Sequence, residues 1–496
     1  MSESPAPAHH DRGFFGHPKG LAILFFTEMW ERFSYYGMRG LLILYLTADH
    51  ASGGMNFDVA KATAVYALYT SMVYLLGLPG GWIGDRLWGQ RKTVLYGGVL
   101  ITIGHILLAI HPIWAFYTGL VFIVLGTGLL KPNISAIVGQ LYQADDVRRD
   151  SGFSLFYMGI NFGAFFGPLL CGWLGENYDW HLGFGAAAVG MALGLVQYVW
   201  GGRYLGDAGL VPAGCGSEVE RQGLLKKFNI GLGIFAALAV ALVVAGKNGM
   251  LTIEAEQLSN YFGILLLVVT TGFFAWLFRS GDWTPVERGR LWTIVVLFLA
   301  AVFFWAAYEQ SGSSFNLFAR DLTNLNVFGR AISPSQLQSL PALFVIICAP
   351  VFAWLWIRLG KKQPSSPMKF SLGLVFVGLG FAVMILAALK TRDGSRVGVE
   401  WLAITYFLHV IGEMCLSPVG LSTVTKLAPQ RVTGLMMGVW FLAASVGSYL
   451  GGRMAGFYES MPLWQLFGVV AAVTIVGGFV LAMLSKSIQK MMGGIH

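Results

Sequence analysis

Apolar residues fill this chain in long runs, and polar residues gather in short intervals between them. A membrane-crossing helix needs ~20 mostly apolar residues. Read at that length, the pattern predicts fourteen spans: 20–47, 60–84, 92–111, 113–143, 152–176, 181–202, 227–246, 258–278, 290–318, 336–358, 370–390, 400–427, 433–457 and 463–486. Two longer intervals divide the series into six, two and six. One is 203–226, rich in Gly and ending at Lys226; the other is 279–290, RSGDWTPVERGR. The expected organisation is an N-terminal six-helix bundle at 20–202. A linker region at 203–289 follows, with two inserted helices (227–246 and 258–278), and then a C-terminal six-helix bundle at 290–488.

Composition agrees with this pattern. The 496 residues are 56% hydrophobic and 12% charged, with a mean hydropathy of +0.65. Soluble domains are about a quarter charged, so the chain reads as an all-α, multi-pass membrane protein whose first partner is the lipid bilayer. The net charge of +8 does not point to nucleic acid, because the basic residues lie in short loops where topology accounts for them. An even number of spans puts both termini on one side. Most of the 33 lysines and arginines fall on that side, so both termini are expected to be cytoplasmic. The N-terminal stretch MSESPAPAHHDRGFFGHPKG lacks the regions of a signal peptide. Cys171, Cys215, Cys348 and Cys415 show no metal-binding spacing and read as small core residues. There is no Walker A pattern, no GxGxxG after a strand, no HExxH and no nucleophile elbow. The expectation is therefore no enzyme, no cofactor, no metal, and any transport energy drawn from an ion gradient.

A few charges break the apolar runs. The first span, LAILFFTEMWERFSYYGMRGLLILYL, contains Glu28, Glu31, Arg32 and Arg39. Glu28, Arg32, Tyr35 and Arg39 fall on one helical stripe. Lys131 lies in the fourth span, Glu309 at the start of the second half and Glu413 in the corresponding later span. Ionisable groups inside membrane spans are costly and usually face a polar interior. The bland alternative is that Glu28, Glu31 and Arg32 merely neutralise each other within one helix. Four acids against three bases leave one carboxylate without a cation, and such a group tends to take a proton. Lys131-Pro132-Asn133 and Glu413 with Ser417-Pro418 place prolines beside both later charges, and proline permits a bend. Arg39 and Lys131 suit an anionic group and Glu413 an ammonium, so the set suits a zwitterion. Tyr35, Tyr36, Tyr74, Trp305 and Trp440 offer apolar walls that also hydrogen-bond. Asp85, Arg86, Arg91 and Lys92 occupy a cytoplasmic loop, either for topology or as a latch between helices. His105 and His409 read first as core histidines, with proton shuttling as the alternative.

Several of these stretches together resemble the proton-coupled oligopeptide transporter family of the major facilitator superfamily. Glu28-Met-Trp-Glu31-Arg32-Phe33 is similar to its ExxER[FY] signature. GGWIGDRLWGQRKTVLYGG from Gly80 resembles its loop motif, and FSLFYMGINFGAF from Phe153 its second signature. Lys131-Pro132-Asn133, FWAAYEQ ending in Glu309-Gln310, and GEMCLSPVGLS from Gly412 also resemble the family. The resemblance implies the major facilitator fold, with the two extra spans like the inserted pair of bacterial members. It also implies a monomer in the bacterial cytoplasmic membrane that imports di- and tripeptides with protons by alternating access. On the matching positions, Glu28, Glu31, Arg32, Lys131 and Glu309 would belong to proton coupling, with Lys131 and Glu309 as a salt bridge between bundles. Arg39 and Lys131 would meet the peptide carboxylate, and Glu413 and Asn161 the amine. Tyr35, Tyr36, Tyr74, Trp305, Trp440 and Phe441 would shape the side-chain pockets, with Ser417 beside them. Two positions depart from the family. A second-span histidine is replaced by Ala67, and an Asn-Pro pair by Pro341-Ala342. Rival readings are another small anion or zwitterion on the same scaffold, such as nitrate or a modified amino acid, or a non-transporting sensor or channel.

Overall fold

The computed structural model describes residues 13–143, 145–212, 214, 216–247, 254–429, 432 and 436–493. Its first helix, α1 (Lys19–Thr47), contains the charged stripe and is almost entirely buried. A helix that is apolar nearly all round is stable only when neighbours cover it. The further helices are α2 (Val59–Leu75), α3 (Gly77–Ile83), α4 (Gln90–Leu108), α5 (Ile113–Gln140), α6 (Arg149–Asn177), α7 (Trp180–Gly201) and α8 (Glu218–Lys247). After these come α9 (Ala255–Arg279), α10 (Pro285–Tyr308), α11 (Ser314–Leu322), α12 (Leu340–Leu359), α13 (Ser366–Lys390), α14 (Glu400–Leu427), α15 (Met436–Ala455) and α16 (Leu463–Met491). Extended structure among the described residues is limited to two-residue pairs, one being Thr323–Asn324 parallel to Val397–Gly398.

Eleven helical segments among the described residues are long and apolar enough to cross a membrane. Helices α1, α8 and α15 occupy the other expected spans, so the sequence pattern and the helices correspond. The chain is a nearly all-helical, multi-pass membrane protein. Burial is uneven among the spans. The most apolar stretch of α9 is 17% buried, as is that of the 334–359 segment containing α12, against 61% for the span that begins with α2. These two faces have the composition that lipid accepts.

Three local expectations need correction. The span 60–84 is not one helix: α2 stops at Leu75, α3 restarts at Gly77, and a π-helical turn, Gly84–Trp88, follows. The span 290–318 is also divided. Helix α10 ends at Tyr308, Glu309–Gly312 form a 3₁₀ turn, Ser313 leaves helical geometry, and α11 begins at Ser314. By contrast, Pro132 and Pro418 lie inside continuous helices. Beside Pro132 the Asn133 side-chain amide donates to the Leu129 carbonyl at 2.7 Å and to the Gly80 carbonyl at 2.9 Å, tying α5 to α3. The second interval is shorter than its polarity suggests. Thr284 caps α10, with its Oγ accepting from the Glu287 N–H at 3.2 Å while the Glu287 carboxylate accepts from the Thr284 N–H at 3.0 Å. Cys171, Cys348 and Cys415 are buried, as expected of core residues; Cys215 and the start of the thirteenth span lie outside the described residues.

Contacts group the chain into two compact units. One comprises Met1–Tyr36, Leu76–Gly167 and Phe184–Glu254; the other Gly37–Leu75, Pro168–Gly183 and Ala255–His496. In the first unit, glycines let helices touch backbone to backbone, the device expected where lipid gives no hydrophobic drive for association. A Cβ on Gly97 would lie 2.6 Å from the Gly126 carbonyl, and one on Gly104 2.7 Å from that of Gly119, so α4 and α5 meet along their length. The sequence MGINFG places Gly159 and Gly163 one turn apart on α6. Cβ atoms there would lie 2.9 Å from the Phe25 carbonyl and 2.1 Å from that of Met29. The family-like signature on this span is thus the docking face for α1. The core beneath contains Leu24, Ile101, Leu130, Ile134 and Met191. In the second unit, the rings of Phe315, Phe381 and Phe467 interlock, with centroids 4.9 to 6.0 Å apart.

Gly163→Ala should force α6 away from α1. Overpacking of this kind costs ~1–3 kcal/mol, so the purified variant should unfold at lower temperature in detergent. An unchanged melting temperature would contradict this packing.

Candidate functional site

The charges on α1 divide between two constellations. In the first unit, Glu28, Glu31 and Arg32 are almost wholly buried, at 1%, 0% and 2% exposure. Arg32 Nη2 donates to Glu31 Oε1 at 2.6 Å, its Nε donates to Glu31 Oε2, and Nε lies 3.4 Å from Glu28 Oε1. The guanidinium also sits 4.9 Å over the Tyr35 ring, with the Tyr36 ring at 6.0 Å. A desolvated guanidinium gains from both kinds of contact. Every one of these partners is on α1, which is the intrahelical arrangement that the sequence left open. Lys131, half-buried on α5, is close enough for its charge to act on Glu28. Asn161 is buried on α6, and its side-chain amide donates to the Tyr157 carbonyl of its own helix at 2.9 Å.

The loop motif of this unit forms a latch. Helix α4 begins after Gly89, whose φ of +78° suits glycine. Asp85 Oδ1 accepts from the Gln90 side-chain amide at 2.9 Å, Gln90 Oε1 accepts from that of Gln140 at 2.6 Å, and Gln140 Oε1 accepts from the Gly209 N–H at 2.7 Å. Arg91 adds a backbone bond to the Gly209 carbonyl at 2.9 Å and a guanidinium bond to the Gly206 carbonyl. Arg86 makes an exposed contact with Glu220 at 3.5 Å, and Lys92 is exposed. The motif therefore ties the ends of α4 and α5 to the segment after α7.

The second unit holds the other constellation. Arg39 Nη2 lies 2.7 Å from Glu309 Oε2, with both residues buried, at 5% and 3% exposure. Its N–H is not aimed at that oxygen, so the contact is ionic rather than a directed hydrogen bond. Nη2 is also 3.4 Å from the Glu309 carbonyl, and Arg39 Nε donates to the Tyr66 hydroxyl at 2.7 Å. The Tyr74 hydroxyl donates to Glu309 Oε1 at 3.4 Å. Beside this pair, the Tyr308 hydroxyl donates to Glu413 Oε2 at 2.6 Å. Trp305 packs edge-on against Tyr308, with centroids 5.5 Å apart. Ser417 is half-buried on α14; Trp440 and Phe441 are half-buried on α15. Trp440 lies against Gly420, where a Cβ would come within 2.2 Å of the indole.

The two departures have structural counterparts in this unit. Ala67 faces Gly452 of α15 so closely that a Cβ on Gly452 would lie 2.6 Å from the Ala67 Cβ. A histidine there would have to displace α15. Pro341 sits in the first turn of α12, and Ala342 is buried without a polar group. His105 and His409 are buried; His409 stacks on Phe381 at 5.5 Å. Tyr66, Tyr308 and Gly312 were not singled out from the sequence. The signals were present: Tyr66 lies two turns before Tyr74, and Tyr308 directly precedes Glu309.

Buried ion pairs on membrane-spanning helices, one of them at a helix break, are features that suit a polytopic membrane transporter. The model of the POT family (PTR2) matches residues 91–472, and the chain belongs to that family. It is 44% identical to the uncharacterized transporter YclF of Bacillus subtilis (strain 168), over 100% of this chain and 99% of that one. It is 37% identical to a di-/tripeptide transporter of Lactococcus lactis subsp. cremoris, over 98% and 99%. A crystal structure of a peptide transporter POT in complex with sulfate superposes with a TM-score of 0.91 at 44% identity, over 98% of each chain. The protein is accordingly a multi-pass protein of the bacterial cytoplasmic membrane.

Gln140→Ala breaks the chain of amides that holds Gly209. Residues 206–212 should then exchange backbone hydrogens at least several-fold faster, as loss of one hydrogen bond worth ~1 kcal/mol requires. Unchanged exchange there would rule out the latch.

Proposed function

We propose that the protein is a symporter that imports di- and tripeptides with protons by alternating access. The observation that carries this reading is the buried Arg39–Glu309 pair at the break between α10 and α11. Removing one partner of a buried ion pair leaves an uncompensated charge, at ~3–5 kcal/mol. A proton on Glu309 removes the negative charge and releases the arginine. Arg39 then becomes available to a peptide carboxylate, with Glu413 offered to the amine. Binding and protonation are thus coupled through one guanidinium.

The remaining roles extend this reading. Glu28, Glu31 and Arg32 take part in coupling; Lys131 forms a salt bridge with Glu309 that makes and breaks between the bundles, and joins Arg39 at the peptide carboxylate. Asn161 assists at the amine. Tyr35, Tyr36, Tyr74, Trp305, Ser417, Trp440 and Phe441 shape the pockets, and Asp85, Arg86, Arg91 and Lys92 latch the cytoplasmic side. The working unit is a monomer of two six-helix bundles, 20–202 and 290–488, with both termini cytoplasmic and no cofactor. Moving one charge across the membrane is worth ~2.3 kcal/mol per 100 mV, enough for one proton per cycle to drive accumulation. The names of relatives support the substrate class, among them the Yersinia enterocolitica peptide transporter, 40% identical. A POT family transporter solved with 5-aminolevulinic acid, a small amino acid, bears on the zwitterion chemistry.

In liposomes, an inward proton gradient should drive concentrative uptake of labelled dialanine. Glu309→Gln should abolish gradient-driven accumulation while leaving counterflow. Full concentrative uptake by that variant would refute the role of Glu309. Glu413→Ala should weaken peptide uptake by at least tenfold, the scale of a lost charged contact of ~1.5–3 kcal/mol. Nitrate transport would not depend on Glu413, so nitrate uptake that Glu413→Ala leaves unaltered favours an anion carrier.

A further inference from the structure

Arg39 is held at two ends. Its Nη2 reads both the carboxylate and the main-chain carbonyl of Glu309, and its Nε is fixed on the Tyr66 hydroxyl at 2.7 Å. Tyr66 is 1% exposed and lies on α2. That helix is itself braced against α15. The Ser71 hydroxyl donates to the Ser445 carbonyl at 2.8 Å, the Ser445 hydroxyl donates to the Ser71 carbonyl at 2.9 Å, and Ala67 meets Gly452. Two turns along α2, Tyr74 reaches the other oxygen of Glu309. One rigid helix therefore touches both members of the ion pair.

Gly312 completes this arrangement. A Cβ there would lie 2.1 Å from the Tyr66 hydroxyl, 2.9 Å from Arg39 Nε and 3.0 Å from Arg39 Nη2. Its φ is not in the left-handed region, so space rather than backbone conformation calls for glycine. The 3₁₀ turn that presents Glu309 also leaves, three residues on, the hollow that receives the arginine and its tyrosine.

We propose that Tyr66 is the positioning residue of the Arg39–Glu309 pair, seated by Gly312, and that it sets the pH at which transport is driven. This rests on the reading in which Glu309 takes the proton. Among the described residues of this unit, the titratable and charged groups that meet Glu309 or its partners are Arg39 on α1, Tyr66 and Tyr74 on α2, Tyr308 on α10, and Tyr406, His409 and Glu413 on α14. Of these, Tyr66 accepts from the Arg39 Nε at 2.7 Å, so its hydroxyl acts on the pair through Arg39.

Full-length wild type, Tyr66→Phe, Gly312→Ala and Glu309→Gln are reconstituted, and dialanine uptake is followed from acid to neutral pH at fixed membrane potential. Tyr66→Phe keeps the ring and removes the hydroxyl; Gly312→Ala fills the hollow. In both, a less firmly held Arg39 should yield Glu309 to a proton at lower proton concentration. The midpoint of uptake should move upward by about one to two pH units, the scale of one hydrogen bond to a charged group. An unshifted midpoint in either folded variant overturns the proposal. So does a uniform loss of uptake at every pH, which would assign Tyr66 to packing or to peptide binding. Proton-driven accumulation by Glu309→Gln would instead remove the transport premise, so the two failures are distinguishable.

Discussion

The structure depends on one electrostatic constraint: a guanidinium and a carboxylate are held out of water and must keep each other's company. Removing either charge from bulk solvent costs several kcal/mol even after relaxation. Arg39 and Glu309 meet this cost together, with tyrosine hydroxyls on both sides of the pair. Such a pair is tolerated while it is intact and becomes expensive when either partner is neutralised alone. That asymmetry is what a coupled carrier needs, because protonation and binding of an anionic group each change the same balance.

The backbone supplies the geometry. A continuous helix at 309–313 would give Arg39 only a side chain to meet. The 3₁₀ turn adds the Glu309 carbonyl at 3.4 Å and admits the guanidinium over Gly312. Irregular backbone at membrane depth is accepted only where protein or a polar cavity satisfies it. Here an arginine does so. The same economy appears at Asn133, whose side chain donates to α3 and to its own helix beside Pro132.

Much of this was legible in the sequence. Runs of apolar residues located every span, because in lipid the backbone must satisfy itself and helices are the available solution. The unusual charges pointed to the site, since desolvation makes each one expensive. What escaped was of two kinds. The breaks at Leu76 and Glu309–Ser313 fall inside stretches long enough to read as single spans, although Gly77 and Pro79 follow the first and the second reads EQSGS; Pro132 and Pro418 sit inside continuous helices. The partners of Arg39 also escaped. Glu309 lies 270 residues away and Tyr66 27, and helical periodicity reports only neighbours on the same helix. Tyr66 was marked only by its spacing of two turns from Tyr74, which does not reveal a partner on another helix.

The stripe on α1 thereby separates into two arginines with different duties. The ion-pair and hydrogen-bond partners of Arg32 among the described residues, Glu28 and Glu31, belong to its own helix. A charge satisfied within one rigid helix keeps its environment when that helix moves as a body. Arg39, seven residues on, takes its partners from α2 and from the turn after α10. Its energy therefore changes whenever those elements shift against α1. Of the two, Arg39 is the one placed to register a conformational change. Glu413 adds the complementary term: among the described residues it forms no ion pair and rests on the Tyr308 hydroxyl. A carboxylate without a cationic partner among the described residues, as the sequence count of acids and bases anticipated, thus lies near the Arg39–Glu309 pair.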